Sequence, residues 1–346
     1  MPMKVPFNAL VNFGTRLLAA KGVPAKHARR AARAAVETEA AGVTTHGLIM
    51  FSYLNGMIPD PIRPDAEPRI VRDTGATALV DGNGALGQRA MAVAADLAVK
   101  KARRHGTALV SVRKSFWIGA AGTYLIPIAR KGFFAWLSVQ SCACKDTPPV
   151  GGRDARFSTN PIALAFPTGA DPVVADFSTA AVSMGRVRRT AALGEKAAEK
   201  IFMDRAGRLT NDPRAVLDGG TILFTGGLNF GHKAYALSLW AEALTAMAGG
   251  DTNNPAAPQR QSFHLVVTDP RAFAGATAYH KEMKRFIAHV KSSRRLAGVS
   301  EIRLPGERGF RRFREALKTG VPVETPVLDR LNDLAATCGV KGISPR

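Results

Sequence analysis

Seven histidines are the side chains of this 346-residue chain whose charge changes nearest neutral pH. His46, in Thr45-His46-Gly47, can hand a proton to a heteroatom and take one back. A histidine at a helix start can equally hold a structural hydrogen bond. His27, His105, His264, His280 and His289 show no ligand spacing, and His232 falls in Gly231-His232-Lys233. Asp176 opens Asp176-Phe177-Ser178-Thr179. A carboxylate there can fix an imidazole's tautomer and stabilise its charged form, or cap Ser178 and Thr179 as a strand-end turn residue. Lys233 offers a point charge for a phosphate and Arg308 a fork suited to one. Arg308 also reads as surface charge beside Arg311 and Arg312. Cys142-x-Cys144 lacks a second pair or a nearby histidine, so no metal site is expected and a buried, inert strand end is the reading. Gly82-Asn83-Gly84-Ala85-Leu86-Gly87 matches the G-x-G-x-x-G dinucleotide fingerprint, between an expected strand and an expected helix. The next strand ends at Arg113-Lys114 rather than at an acid, as an NADP-type Rossmann site would. The chain does not go on as regular βαβ units, so these glycines are expected to form a turn that binds nothing.

The elements that must hold these residues follow from periodicity and breakers. Residues 7–43 read as helical, with Arg29, Arg30 and Arg33 on an outer face, and a short helix covers His46 to Met57. Pro59, Pro61, Pro64 and Pro68 mark a boundary. Strands are expected over Ala76–Asp81, Thr107–Arg113, Phe133–Ser141 and Phe263–Val267. Helices are expected over Gln88–His105, Gly119–Lys131, Ala191–Ile201, Tyr235–Ala248, Ala276–Val290, Phe310–Lys318 and Pro326–Cys338. Pro148 to Val187 reads as short strands with functional loops, and Asp251–Gln261 as a loop.

Composition narrows the class. With 46% hydrophobic and 22% charged residues the chain is neither disordered nor collagen-like. At roughly 100–200 residues per domain, the length suggests two or three core-forming units. No run approaches the ~18 apolar residues of a membrane span. The N-terminus lacks the basic start, apolar core and cleavage site of a secretory leader. Three cysteines make no disulfide framework, and a cytoplasmic, reducing location is expected. Lys plus Arg is 48 against 27 acids, a net charge of +21, mostly from 32 arginines spread along the chain. Nucleic-acid binding is the obvious reading of that balance, but no zinc-finger spacing or aromatic-basic motif accompanies it. Solvated basic faces are expected instead, or a positive field suited to anionic substrates and a phosphorylated cofactor.

One ordered series runs through nearly the whole chain. It comprises Thr45-His46-Gly47, Tyr53, Asp81-Gly82-Asn83-Gly84, Gly151-Gly152, Thr159-Asn160-Pro161-Ile162-Ala163, Asp176-Phe177-Ser178-Thr179, Gly226-Gly227, Gly231-His232-Lys233 and Pro305-Gly306-Glu307-Arg308. In this order it resembles the type 2 malate/L-lactate dehydrogenase family of NAD(P)-dependent oxidoreductases. That family also holds ureidoglycolate, diketogulonate and sulfolactate dehydrogenases and cyclic-imine reductases. The resemblance implies an α/β fold that is not Rossmann. A helical domain comes from both termini (1–70 plus 305–346), a middle domain spans 71–120 plus 230–304, and an inserted cofactor domain with a largely antiparallel sheet spans 121–229. It implies a homodimer acting on a small-molecule substrate, with hydride exchanged between NADP or NAD and C2 of a 2-hydroxy or 2-keto acid or a cyclic imine. His46 matches the proposed proton donor, with Thr45 where serine is usual and Asp176 orienting it or joining the cofactor pocket. Ser141, Ser178, Thr179, Lys233, Gly306, Glu307 and Arg308 match cofactor positions. Thr159 and Asn160 match a segment at substrate and nicotinamide.

Two positions depart from the family. Met50 stands where relatives carry an arginine for the substrate carboxylate, and Trp117 where some carry a second acid/base histidine. Indole exchanges no protons at useful pH but can stack on a ring. A smaller change is Ala234, where glycine is usual. Either the substrate is bulkier or less anionic, with His46 as the only acid, or the chain is a paralogue that binds cofactor without turnover.

Overall fold

The computed structural model describes residues 2–142, 144–252 and 260–344. In chain order it begins with β1 (Met3–Val5), α1 (Phe7–Ala20), α2 (Ala25–Ala40) and α3 (Ile49–Met57). There follow β2 (Arg69–Thr74), β3 (Thr77–Asp81), α4 (Gly87–His105), β4 (Thr107–Ser115), α5 (Ala121–Arg130) and β5 (Phe134–Ser141). Next are β6 (Ile162–Phe166), β7 (Val173–Phe177), α6 (Met184–Ala192), β8 (Phe202–Met203), β9 (Leu209–Thr210), α7 (Arg214–Leu217), β10 (Thr221–Ile222) and α8 (Gly227–Phe230). The chain closes with α9 (His232–Met247), β11 (Gln261–Thr268), α10 (Ala276–Lys291), α11 (Glu307–Thr319), β12 (Val321–Val323) and α12 (Thr325–Thr337).

The helix expected over 7–43 is two helices. Gly22 takes a left-handed φ of +85° and Pro24 stands at the start of α2, so the chain turns between them. Ala28, Ala31, Ala32 and Ala35 bury one face of α2 in a core shared with α1 and α3, while Arg29, Arg30 and Arg33 stay outside. The same core takes Leu328, Leu331 and Ala335 from α12, and β12 pairs antiparallel with β1, so both ends of the chain close on each other.

The main sheet has the order β2-β3-β4-β11-β5-β6-β7, antiparallel except between β3 and β4. This is a mixed α/β fold without the parallel sheet of a Rossmann domain. Strand alternation gives the sheet two unlike faces. Val110, Val112, Leu137, Val139, Phe263 and Leu265 pack with Ala90, Ala94 and Ala98 of α4 and Leu125 of α5. The opposite face carries Ser111, Ser138, Gln140, Ser262 and His264, and part of it meets α9. His264 lies between Ser111 Oγ (3.0 Å) and Thr245 Oγ1 (3.3 Å), and Gln140 donates to Glu242 at 3.1 Å.

The fingerprint glycines serve packing. A Cβ on Gly82 would lie 2.5 Å from the Lys114 carbonyl oxygen, and one on Gly87 2.2 Å from that of Phe116. The backbone they admit is the chain's own. The helix expected over 191–201 lies earlier, at α6, because Ser183 caps it by accepting the Arg186 N–H at 3.3 Å and Gly194 (φ +67°) stops it. The all-exposed edge strand β2 and the small β8–β10 sheet have no counterpart in the sequence reading. Of the loop expected at 251–261, residues 253–259 lie outside the described residues.

Candidate functional site

His46 sits in the turn between α2 and α3. Glu39, in register with the buried alanines of α2, lies beneath that turn and accepts the Leu48 N–H at 2.9 Å. A Cβ on Gly47 would fall 2.2 Å from Glu39 Oε2, so only glycine lets the turn rest there. Burial pushes Glu39 up to about 7. Thr45 Oγ1 is 2.9 Å from His46 Nδ1, and burial lowers the imidazole's pKa. Trp117 stands 5.7 Å from the His46 ring at 52°, and Tyr53 meets Trp117 edge-on at 4.9 Å. Met50 is 1% exposed, and its sulfur takes a hydrogen bond from Gln88 Nε2 at 3.1 Å. His46 and Met50 line a narrow crevice with Thr38, Ile118, Gly119 and Thr123.

Asp176 ends β7. Its Oδ2 accepts the Gly122 N–H at 2.8 Å, at the start of α5, and a Cβ on Gly122 would come within 3.0 Å of Asp176 Cβ. Burial raises its carboxyl although the residue keeps open surface. No hydrogen bond joins Asp176 to His46 among the described residues; Thr45 takes the imidazole's Nδ1 instead.

The Thr159 carbonyl gathers the next segment. It accepts from Ser178 Oγ (3.2 Å), Thr179 Oγ1 (2.9 Å) and Thr179 N (3.0 Å), and Thr179 is fully buried. Asn160 is fully buried too, with φ +31°, its amide donating to Ser238 (2.9 Å) and Glu242 (3.0 Å) on α9. Both side chains are thus committed to the framework. Ser141 donates its backbone N–H to Ser158 Oγ at 3.3 Å. Thr225 N donates to the Thr179 carbonyl at 2.9 Å, which ties the start of α8 to this segment. Lys233 is exposed, its Nζ 5.6 Å from the Phe230 ring centre.

Gly306, at φ +95°, lets the 305–307 loop lie on β7, where Val174 N donates to the Pro305 carbonyl at 3.1 Å. Glu307 accepts from Leu304 N at 3.1 Å and pairs with Lys291. Arg308 is exposed and makes no ion pair among the described residues. Lys233 and Arg308 are therefore exposed cations without an ion pair among the described residues, the chemistry a phosphate group needs.

Glu39, Asp146 and Arg188 were not singled out from the sequence. Glu39 was detectable as a lone acid on an alanine stripe. The buried strand end expected for Cys142-x-Cys144 holds for Cys142 but not for Cys144, which keeps open surface beside Ser141 because β5 ends at Ser141. Asp146 and Arg188 carried no motif. No group of three or more metal-binding side chains occurs among the described residues.

Fold and sequence together put this chain among dehydrogenases and reductases built without a Rossmann sheet. It belongs to the malate/L-lactate dehydrogenase family, whose model matches residues 5–332. Enzymes of this family use nicotinamide cofactors, and its members act on hydroxy acids or cyclic imines. The chain is similar to malate dehydrogenase from Pyrococcus horikoshii, with 31% identity over 99% of this chain and 97% of that one. It is also similar to Δ1-pyrroline-2-carboxylate/Δ1-piperideine-2-carboxylate reductase from Pseudomonas syringae pv. tomato, with 31% identity over 96% of both chains. The solved structure of the Pyrococcus horikoshii OT3 malate dehydrogenase superposes with a TM-score of 0.90 at 30% identity, covering 99% of this chain and 97% of that one. No helix among the described residues is long and apolar enough to cross a membrane.

Proposed function

We propose that this chain is an NAD(P)-dependent oxidoreductase exchanging hydride between nicotinamide and C2 of a 2-hydroxy or 2-keto acid or a cyclic imine, with His46 as its acid/base. One observation carries the reading: an imidazole is held at 2.9 Å by the Thr45 hydroxyl and faces Trp117 in a recess. When bound, the cofactor supplies or accepts the hydride. His46 supplies the proton to the substrate heteroatom during reduction and removes it during oxidation. Thr45 supports both states, because a hydroxyl can donate to bare Nδ1 or accept from Nδ1–H. Asp176 anchors the start of α5 beside the cleft, and Thr159 and Asn160 shape its floor. Trp117 closes one side and excludes water from the imidazole. Ser141, Ser178, Gly306 and Glu307 belong to the cofactor cradle, with Lys233 and Arg308 on the phosphates. The arginine excess favours NADP. Loss of turnover has no observation of its own, since the imidazole and its hydroxyl partner are both in place.

We also propose a homodimer in a cytoplasmic, reducing compartment. α9 turns Ala234, Ser238, Ala241 and Thr245 inward and exposes Leu237 (41%), Trp240 (54%) and Met247 (62%). A helix apolar on its outer side as well calls for a cover, and a second copy supplies one.

The test is loss of nicotinamide fluorescence with NADH and NADPH across 2-keto acids and cyclic imines. His46→Ala is expected to cut turnover by about 10²–10⁴ while cofactor binding persists. Undiminished turnover in that variant, or no turnover of any such substrate by the wild type, overturns the reading.

A further inference from the structure

We propose that Arg188 is the anchor for the substrate's carboxylate. The proposal rests on the function proposed above and names the residue that selects an anionic substrate. α6 carries Arg188. Its Val187 is fully buried with Phe202 and Ile222, which fixes how the helix is rolled. Gly185, Arg188 and Arg189 are three and four residues apart and share another side. That side meets the turn before His46. A Cβ on Gly185 would lie 3.2 Å from Thr45 Cβ, and Arg189 donates to Thr44 Oγ1 at 3.1 Å.

Arg189 is engaged twice, since it also pairs with Glu324 at 2.6 Å. Arg188 is exposed and has neither a hydrogen bond nor an ion pair from its guanidinium among the described residues. Burial raises both Cys144 and Asp146, the latter to about 6, and the charge of Arg188 pulls each of them back down. Arg188 thus lies on the side of α6 that meets the Thr44-Thr45 turn, with Cys144 and Asp146 the ionisable groups its charge reaches. Next to Thr45 in the chain, His46 neighbours the indole of Trp117, which Tyr53 meets edge-on.

The other charged groups around it are committed or turned away. Glu39 holds Leu48 N, Asp176 holds Gly122 N, and Arg186 lies two residues back on another side of α6. Asp146 does not pair with Arg188 within ion-pair distance among the described residues. Met50 is neutral and buried. A 2-keto acid carries its carboxylate on the carbon that accepts hydride, so a planar fork on the helix side that packs against the turn carrying His46 can hold that group while the carbonyl faces the imidazole.

The experiment compares wild type, Arg188→Leu and Arg188→Lys. Three readouts are needed: KM and kcat for a 2-keto acid and its methyl ester, the Kd for NADPH by fluorescence titration, and calorimetric binding of oxamate, an unreactive keto-acid isostere, to the NADPH-loaded protein. Arg188→Leu is expected to raise KM for the acid and Kd for oxamate by about 10- to 100-fold. The ester KM and NADPH Kd should stay within about twofold, and lysine should recover part of the loss. Equal effects on acid and ester, a change in NADPH affinity alone, or unaltered oxamate binding overturns the proposal. If the wild type turns over nothing, the parent reading fails, and oxamate binding still decides this one: binding abolished by Arg188→Leu supports the anchor, and no binding to wild type refutes it.

Discussion

Replacing Glu39 by Gln tests whether the turn that carries His46 rests on a buried acid that is protonated near neutrality. The side chain is 5% exposed, its Oε2 accepts the Leu48 N–H at 2.9 Å, and Gly47 packs directly against it. Burial is the main cause of its rise from 4.5 to about 7; the Leu48 bond opposes it, Glu324 adds to it and Arg189 subtracts. Because the folded value lies above the unfolded one, the folded protein keeps a proton that the unfolded chain has lost. The associated stability is complete below the unfolded pKa and disappears as pH rises through the folded one. At roughly 1.36 kcal/mol per pKa unit, integration from about pH 5 to pH 9 gives about 2.5 kcal/mol lost by the wild type through this group. Glutamine keeps an acceptor for Leu48 and cannot titrate. The stability of Glu39→Gln relative to wild type should therefore climb by about 2.5 kcal/mol across that range. Urea unfolding followed by far-ultraviolet circular dichroism at several pH values measures it. Two curves that stay parallel refute a proton on Glu39 and with it this account of the turn.

The remaining expectations concern the other parts of the site and fold. His46 is lowered below 6.5 by burial, so kcat/KM for reduction should fall with rising pH about a midpoint under that value, and oxidation should rise about the same midpoint; a midpoint above it in pH–rate profiles contradicts the assignment. Gly82→Ala should lose about 1–3 kcal/mol in thermal or urea unfolding, since the added methyl meets backbone 2.5 Å away, yet leave NADPH affinity intact; lost affinity at wild-type stability would restore the fingerprint reading. Met50→Arg should destabilise by roughly 3–5 kcal/mol in the same assay, because it places an unpaired charge where only 1% of the residue is exposed. Trp240→Glu should turn the expected dimer into monomer by sedimentation; an unchanged oligomer would move the interface away from α9.

Much of this architecture is legible from local signals. Gly87–His105 and Thr107–Ser115 differ by only a residue or two from the expected helix and strand, because an alanine stripe and an alternating run are decided within the element. The single long helix over 7–43 fails for an equally local reason, Gly22 and Pro24, which punctuate an otherwise unbroken apolar period. Pairings over long separations leave no such mark. β2 is exposed at every position, so nothing in its pattern announces a strand, and its partner β3 alone defines it. At the site, the resemblance supplied His46, while Arg188 enters only through the roll of α6, which Val187 fixes from the opposite side.

The carboxylate that the resemblance gave either to the imidazole or to the cofactor pocket makes its hydrogen bond to Gly122 N, and that engagement has chemical weight. Asp176 is engaged with the start of α5, and His46 has a neutral hydroxyl for its Nδ1 partner. An anionic neighbour would stabilise imidazolium; a hydroxyl gives no such charge compensation, and burial then favours the uncharged ring. In the proposed reaction a mostly neutral His46 is ready to accept a proton from a hydroxy acid, and its charged form must be generated afresh for reduction. The proposed arrangement binds the anion through Arg188 and leaves proton transfer to a ring that starts neutral and is shifted by burial alone, so Arg188→Leu should raise KM and leave the midpoint of the reduction profile in place. A midpoint that moves together with KM would join anion binding to control of the imidazole and refute that separation.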